Sequence, residues 1–228
     1  MSVFRLTAAL CLLGVTVLAG WWWSPYSPIA FDRPAAVLAS GDAEGALAGY
    51  RALAAAPITR RDEALWQAAL IAEIELSRLD EATALLQECV LLGGPRAADA
   101  VARLAQLSAE PLAAAEHWMR AAQLEPGHAQ SGRWLLNAGE AAMTAGDRPL
   151  AEAALFAAAE RDDSAVLAWL LLGRAALEGD PATAHARYDA ALAAGAEGVT
   201  AALARSGREA AATLMEDGMI LADVLDAE

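Results

Sequence analysis

Small and bulky apolar residues recur along this chain at a period of roughly 34 residues, and such a period predicts stacked helical hairpins. Three segments align: GDAEGALAGYRAL from Gly41, GDRPLAEAALFAA from Gly146 and GDPATAHARYDAA from Gly179. Each places an Ala five residues after the Gly and a bulky residue nine after it. The pairs are Ala46 with Tyr50, Ala151 with Leu155, and Ala184 with Tyr188. Two further copies keep the small and large positions without the Gly. They are SRLDEATALLQEC, with Ala82 and Leu86, and AEPLAAAEHWMRA, with Ala114 and Trp118. The alanines at 46, 82, 114, 151 and 184 are therefore 36, 32, 37 and 33 residues apart.

A helix hairpin explains the pattern. Gly supports the positive φ that ends one helix, and the following Asp caps the next. The small residue marks a close helix crossing, and the large one fills the gap to the adjacent hairpin. In the Trp118 copy the pattern runs through Ala121 to Pro126, where proline stops the helix. Upstream helices supply the other half of each unit. Trp169, Leu172 and Gly173 form the best match there. Leu135, Ala138 and Gly139 match loosely, and the stretch with Trp66, Ala69 and Leu70 matches only at the Trp.

With these residues in view, the segment 35–195 resembles the tetratricopeptide repeat family, in four to five repeats. The resemblance implies an all-α, right-handed solenoid of helical hairpins whose concave groove binds protein or peptide. The earliest repeat lacks a first-helix Trp, because that helix is truncated around Pro34–Ser40, and several copies lack the turn Gly. Another helical solenoid and a plain helical bundle are the remaining architectures. The residues at 196–215 fit a capping helix, which repeat arrays need at their ends. Residues 216–228 read as an acidic tail, and its cluster Met219, Ile220, Leu221, Val224 and Leu225 is expected to fold back on the last hairpin.

The other apolar pattern lies at the start. Leu6 to Trp23 is an uncharged run of eighteen residues, about 27 Å as a helix and close to the hydrocarbon thickness of a bilayer. Arg5 precedes it and Trp21, Trp22 and Trp23 close it, so residues 1–23 read as a transmembrane anchor with the N-terminus cytoplasmic. That orientation places the repeats in the periplasm of a bacterial-type inner membrane. Val17-Leu18-Ala19 leaves a cleaved signal segment as the alternative, with a secreted or periplasmic product. Residues 24–34, with Pro25 and Pro28, read as an extended spacer.

Composition narrows the partners. Alanine, the best helix former, is far above ordinary usage, and hydrophobic residues make up 57% of the chain. The net charge is −14, with 16 Arg and no Lys. Phosphate neutralisation needs clustered positive charge, so nucleic acid is excluded as a partner, as is docking along an anionic lipid surface. Cys11 and Cys89 form no motif, and His117, His128 and His185 have no metal spacing. There is no nucleophile elbow, phosphate loop or zinc signature. No catalytic, cofactor-binding or metal-binding residue is assigned, and the expectation is a protein that is not an enzyme.

Trp66, Trp118, Trp134, Trp169, Tyr50 and Tyr188 fall at or beside repeat positions that bury aromatic rings, and are expected in the core. The polar candidates lie on the first helix of each hairpin, the face that the resemblance places on the groove: Gln67, Arg96, Asp99, Arg103, Arg133, Asn137, Glu140 and Arg174. Arg133 and Asn137 stand one turn apart on one helix face, and Arg96 and Arg103 two turns apart. Such arginines can grip a peptide carboxylate bidentately, provided that no acid of their own repeats already holds them. The function expected is a membrane-tethered scaffold that recruits an unidentified protein or peptide for assembly work. The alternative is a permanent accessory subunit of a larger membrane complex.

Overall fold

A computed structural model of the protein describes residues 30–225, with side chains through residue 217. The Leu6–Trp23 run and the first part of the expected spacer lie outside the described residues. Among the described residues no helix is long and apolar enough to cross a membrane. They form eleven α-helices, one π-helical turn and no strand.

The helices are α1 (Asp32–Ala39), α2 (Ala43–Ala55), α3 (Arg61–Leu70, continued by a π-helical turn at Ile71–Glu75), α4 (Leu79–Leu92) and α5 (Ala97–Leu107). There follow α6 (Pro111–Leu124), α7 (Ser131–Ala145), α8 (Arg148–Ala159), α9 (Ala165–Ala176), α10 (Pro181–Ala193) and α11 (Gly198–Leu225). The chain divides into two compact units, Met1–Arg103 and Leu104–Glu228. In the first, α1 packs on α2, α2 on α3 and α3 on α4. In the second, each helix from α6 to α11 packs on its successor. Alternate helices there also touch, α7 with α9 and α9 with α11. Consecutive hairpins stacked in this way are what the repeat predicts.

Local chemistry sets the helix starts. Asp42, Asp147 and Asp180 accept hydrogen bonds from the backbone N–H of Gly45, Leu150 and Thr183 at 2.8, 3.0 and 3.0 Å. Each cap satisfies a donor that the first turn leaves without a helical partner. Gly146 ends α7 at φ +77°, a conformation that a side chain would strain. Pro111, Pro149 and Pro181 occupy the first two positions of their helices, where the missing N–H costs nothing.

The repeat positions then do what their sizes dictate. Ala46, Ala82, Ala114, Ala151 and Ala184 are all buried, and so are Tyr50, Leu86, Trp118, Leu155 and Tyr188. Glycines on the first helices receive the bulky residues of the second. A Cβ on Gly139 would lie 2.5 Å from Leu155, and one on Gly173 would lie 2.8 Å from the Tyr188 ring. A Cβ on Gly207 of α11 would lie 2.3 Å from the same ring. Tyr188 is thus gripped between two helices that could not approach if either glycine carried a side chain. Trp118 and Trp134 are buried, whereas Trp66 and Trp169 stay partly exposed. Arg96 covers the Trp66 ring at 5.8 Å, and Phe156 meets Trp169 edge-on at 5.9 Å.

The structure departs from the sequence reading at two boundaries and in one turn. Helix α1 starts at Asp32, inside the stretch expected as spacer, because Pro34 falls in the first turn, where its missing N–H is tolerated. Phe31 anchors that start against Tyr50, 6.2 Å between ring centroids, with Arg60 stacked over it at 4.2 Å. Helix α11 runs to Leu225, ten residues into the expected tail, so the backbone at 219–225 continues the helix. Gly218 alone costs about 1 kcal/mol, too little to break a helix with no proline. The π-helical turn, followed by Ser77 at φ +54°, has no signal in the sequence.

Candidate functional site

In the second unit, α7 and α9 wall a groove of about 670 Å³, with Tyr188 of α10 and Leu203 of α11 completing it. The lining positions follow helical spacing. Arg133, Leu136, Asn137 and Glu140 come from α7, and Leu167, Leu170, Leu171 and Arg174 from α9. Subtraction shows the repeat at work: 167 − 133, 171 − 137 and 174 − 140 each give 34. Equivalent positions of successive hairpins therefore stand side by side along the groove. Gln130, Asp163 and Ser164 lie at its loop end.

The chemistry of this groove is mixed. Leu167 is 48% exposed and Leu203 57%, so apolar surface is open to a ligand. Arg133, Glu140 and Arg174 are exposed, and neither arginine has an ion-pair partner among the described residues. Tyr188 forms part of the floor, and burial raises the pKa of its phenol. An Asn amide offers one donor group and one acceptor, the pair presented by a peptide unit. Arginine forks add strong sites for carboxylate, while Glu140 and Asp163 place the opposite sign in the same groove. Four expected residues, Arg133, Asn137, Glu140 and Arg174, are thus brought together here.

The other four lie in the first unit, where the expectation of unpaired guanidinium groups fails. Arg96 Nε donates to Glu63 Oε2 at 2.6 Å and its Nη1 to Asp99 Oδ2 at 2.9 Å. Gln67 Nε2 donates to the other Glu63 oxygen at 2.9 Å, and Arg103 Nε donates to Glu73 Oε2 at 2.8 Å. Gln67, Arg96, Asp99 and Arg103 therefore form part of a ladder of ion pairs between α3 and α5. Burial pushes the Glu63 carboxyl up, but the hydrogen bonds from Arg96 and Gln67 outweigh it and leave its pKa below the usual value. The same bond to Glu63 holds the Arg96 guanidinium above its ordinary value. These charges brace two helices.

Beneath the ladder sits a second polar knot. The Asp62 carboxylate accepts the backbone N–H of Arg96 at 3.1 Å, and Gly94 lies so close that a Cβ would be 2.6 Å from an Asp62 oxygen. The Cys89 thiol is buried and donates to the Asp62 carbonyl at 3.4 Å. Burial pushes its pKa up to about 12, which removes the thiolate needed for nucleophilic chemistry. The histidines have separate local contacts. His128 stacks on Trp134 at 4.4 Å, His117 lies 3.3 Å from the Ser108 hydroxyl, and His185 lies 3.4 Å from Asp189.

Sequence reasoning missed the apolar half of the groove: Leu136, Leu167, Leu170, Leu171, Tyr188 and Leu203. A signal was available in Leu167-Ala-Trp-Leu-Leu-Leu172, which holds more bulky residues than one face of a two-turn helix can bury. Tyr188 is buried in the core and also lines the groove. No model of a known protein family and no curated protein matches this chain.

Proposed function

We propose that this protein is a tetratricopeptide-type scaffold, tethered to a membrane by its Leu6–Trp23 run, that recruits a protein partner through the groove of its second unit. The observation that carries this reading is the groove between α7 and α9, where lining positions recur at the 34-residue offset, leucines among them, and where Arg133 and Arg174 have no ion-pair partner among the described residues. Asn137 engages the backbone of an extended segment, Leu167 and Leu171 take its apolar side chains, and Arg133 and Arg174 take carboxylates. Apolar burial supplies most of the affinity and the charges fix register, as at protein interfaces generally. With a bacterial-type anchor the repeats face the periplasm, where the partner is a component of an envelope assembly.

Capture from detergent-solubilised membranes tests the proposal. The wild-type chain should retain a specific protein that the Arg133→Ala/Arg174→Ala variant loses by tenfold or more, about 1.4 kcal/mol. Both should melt together, since exposed arginines without partners contribute little stability. A wild-type chain that retains no protein, or a variant that retains it equally well, sinks the reading.

A further inference from the structure

Helix α11 is unlike every other helix among the described residues. It has 28 residues, against 8 to 15 for the rest, and so extends about 42 Å at 1.5 Å per residue. The 13-residue α10 on which it packs covers only about 20 Å. Ala201, Ala204 and Ala211 bury one face of α11 in the second unit. Another face carries Val199, 76% exposed, Leu203, and Leu214, 43% exposed, with the exposed Ala210 among them. At 100° per residue these four fall on one stripe. An exposed apolar stripe along a helix that outruns its neighbours marks an interaction surface.

Two observations identify what covers it. In the sequence, Val199, Leu203, Ala210, Leu214, Leu221 and Leu225 are separated by four, seven, four, seven and four residues. That series reads the same in both directions, about a centre at residue 212. Such a stripe is complementary to itself run backwards, as a two-fold symmetric contact demands. Charge has the matching polarity. From Gly198 to Arg208 the chain carries Arg205 and Arg208 and no acid, whereas from Glu209 to Glu228 it carries six acids and no base. Arg208 is engaged with Asp189 at 3.0 Å, and Arg205 is exposed. Side by side in parallel, two such helices would set acid half against acid half. In the antiparallel arrangement each acidic half lies along a basic one, and the helix dipoles also oppose.

We propose that α11 pairs antiparallel with α11 of a second copy of this chain about an axis at residue 212, and that the protein is a two-fold dimer. Ala210 of each copy meets Leu214 of the other near the axis. Leu203 is also a wall of the peptide groove, so the dimer shields one side of that groove. The pairing does not depend on the groove reading, because the stripe and its symmetry are independent of what the groove binds.

Light scattering of the full chain in a non-ionic detergent, corrected for bound detergent, should give twice the chain mass of 23.6 kDa. Leu203→Glu and Leu214→Glu should each return the single-chain mass while far-ultraviolet circular dichroism keeps the helical signal, since both positions are exposed. Orientation is read by oxidative cross-linking in a Cys11→Ser background. Leu214→Cys should cross-link, because its counterpart lies one turn away across the axis. Leu203→Cys should not, because its counterpart lies 18 residues along the helix, about 27 Å. A wild-type chain of single-chain mass overturns the proposal. So does a Leu214→Glu variant of unchanged mass, or efficient cross-linking at Leu203→Cys.

Discussion

At the scale of single residues, the glycines beside Tyr188 decide more than their propensities suggest. In a helix, Gly→Ala is ordinarily stabilising by about 1 kcal/mol. At Gly207 the new Cβ would stand 2.3 Å from the Tyr188 ring, and a ring fixed from the Gly173 side has nowhere to retreat. Gly207→Ala should therefore destabilise the protein by about 1–3 kcal/mol, read as a lower midpoint in urea. An unchanged or raised midpoint would show that Tyr188 moves freely. Glu63 makes a second residue-scale prediction, with pH as the variable. Its folded pKa lies below 4.5, so its contribution is fully present above pH 4.5 and fades as pH falls through the folded value. Glu63→Gln should cost about 1 kcal/mol at neutral pH, a figure held down by solvent screening at the half-exposed Arg96. Below the folded pKa the variant and wild type should converge, and melting curves at a series of pH values show whether they do.

At the scale of elements, helix crossings carry the fold, and the alanines that form them were legible in the sequence. Ala46, Ala82, Ala114, Ala151 and Ala184 fall on α2, α4, α6, α8 and α10, every second helix. Ala151 packs with Ala115 and Ala142, bringing α6, α7 and α8 into one cluster. Ala151→Leu should therefore cost about 1–3 kcal/mol by overpacking, with binding at the groove residues unaffected in the fraction that stays folded. A midpoint like that of wild type would mean that the three helices can part without penalty. What the sequence concealed depends on how hairpins stack. Arg96 finds Glu63 33 residues upstream and Arg103 finds Glu73 30 residues upstream. Neither pair follows from spacing along one helix, because the partner is chosen by which neighbouring turn lies opposite. Half of the candidate groove positions thus became bracing, although they have the same residue types as the half that lines the groove. The length of α11 was hidden for a different reason: acids after Arg208 suggest a solvated tail, yet Glu and Asp break no helix by themselves.

For the whole molecule, charge sets the background on which these contacts act. Thirty acids face sixteen bases, for a net charge of −14, and a compact chain of one sign repels itself. Salt weakens the ladder on α3 and α5, but it screens the more numerous like-charge contacts as well, with a Debye length of about 8 Å at physiological ionic strength. The excess of acids makes the second effect larger, so the melting temperature should rise as sodium chloride is added. A fall would place the ion-pair ladder above self-repulsion in the balance. The buried Cys89 provides a clock for such changes. Its sulfur sits between α4 and α3, so a thiol reagent reaches it only when that hairpin opens. In a chain with Cys11 replaced by Ser, the labelling rate becomes a count of opening events. One buried cysteine would then time the breathing of the unit around it, in the intact protein and without denaturant.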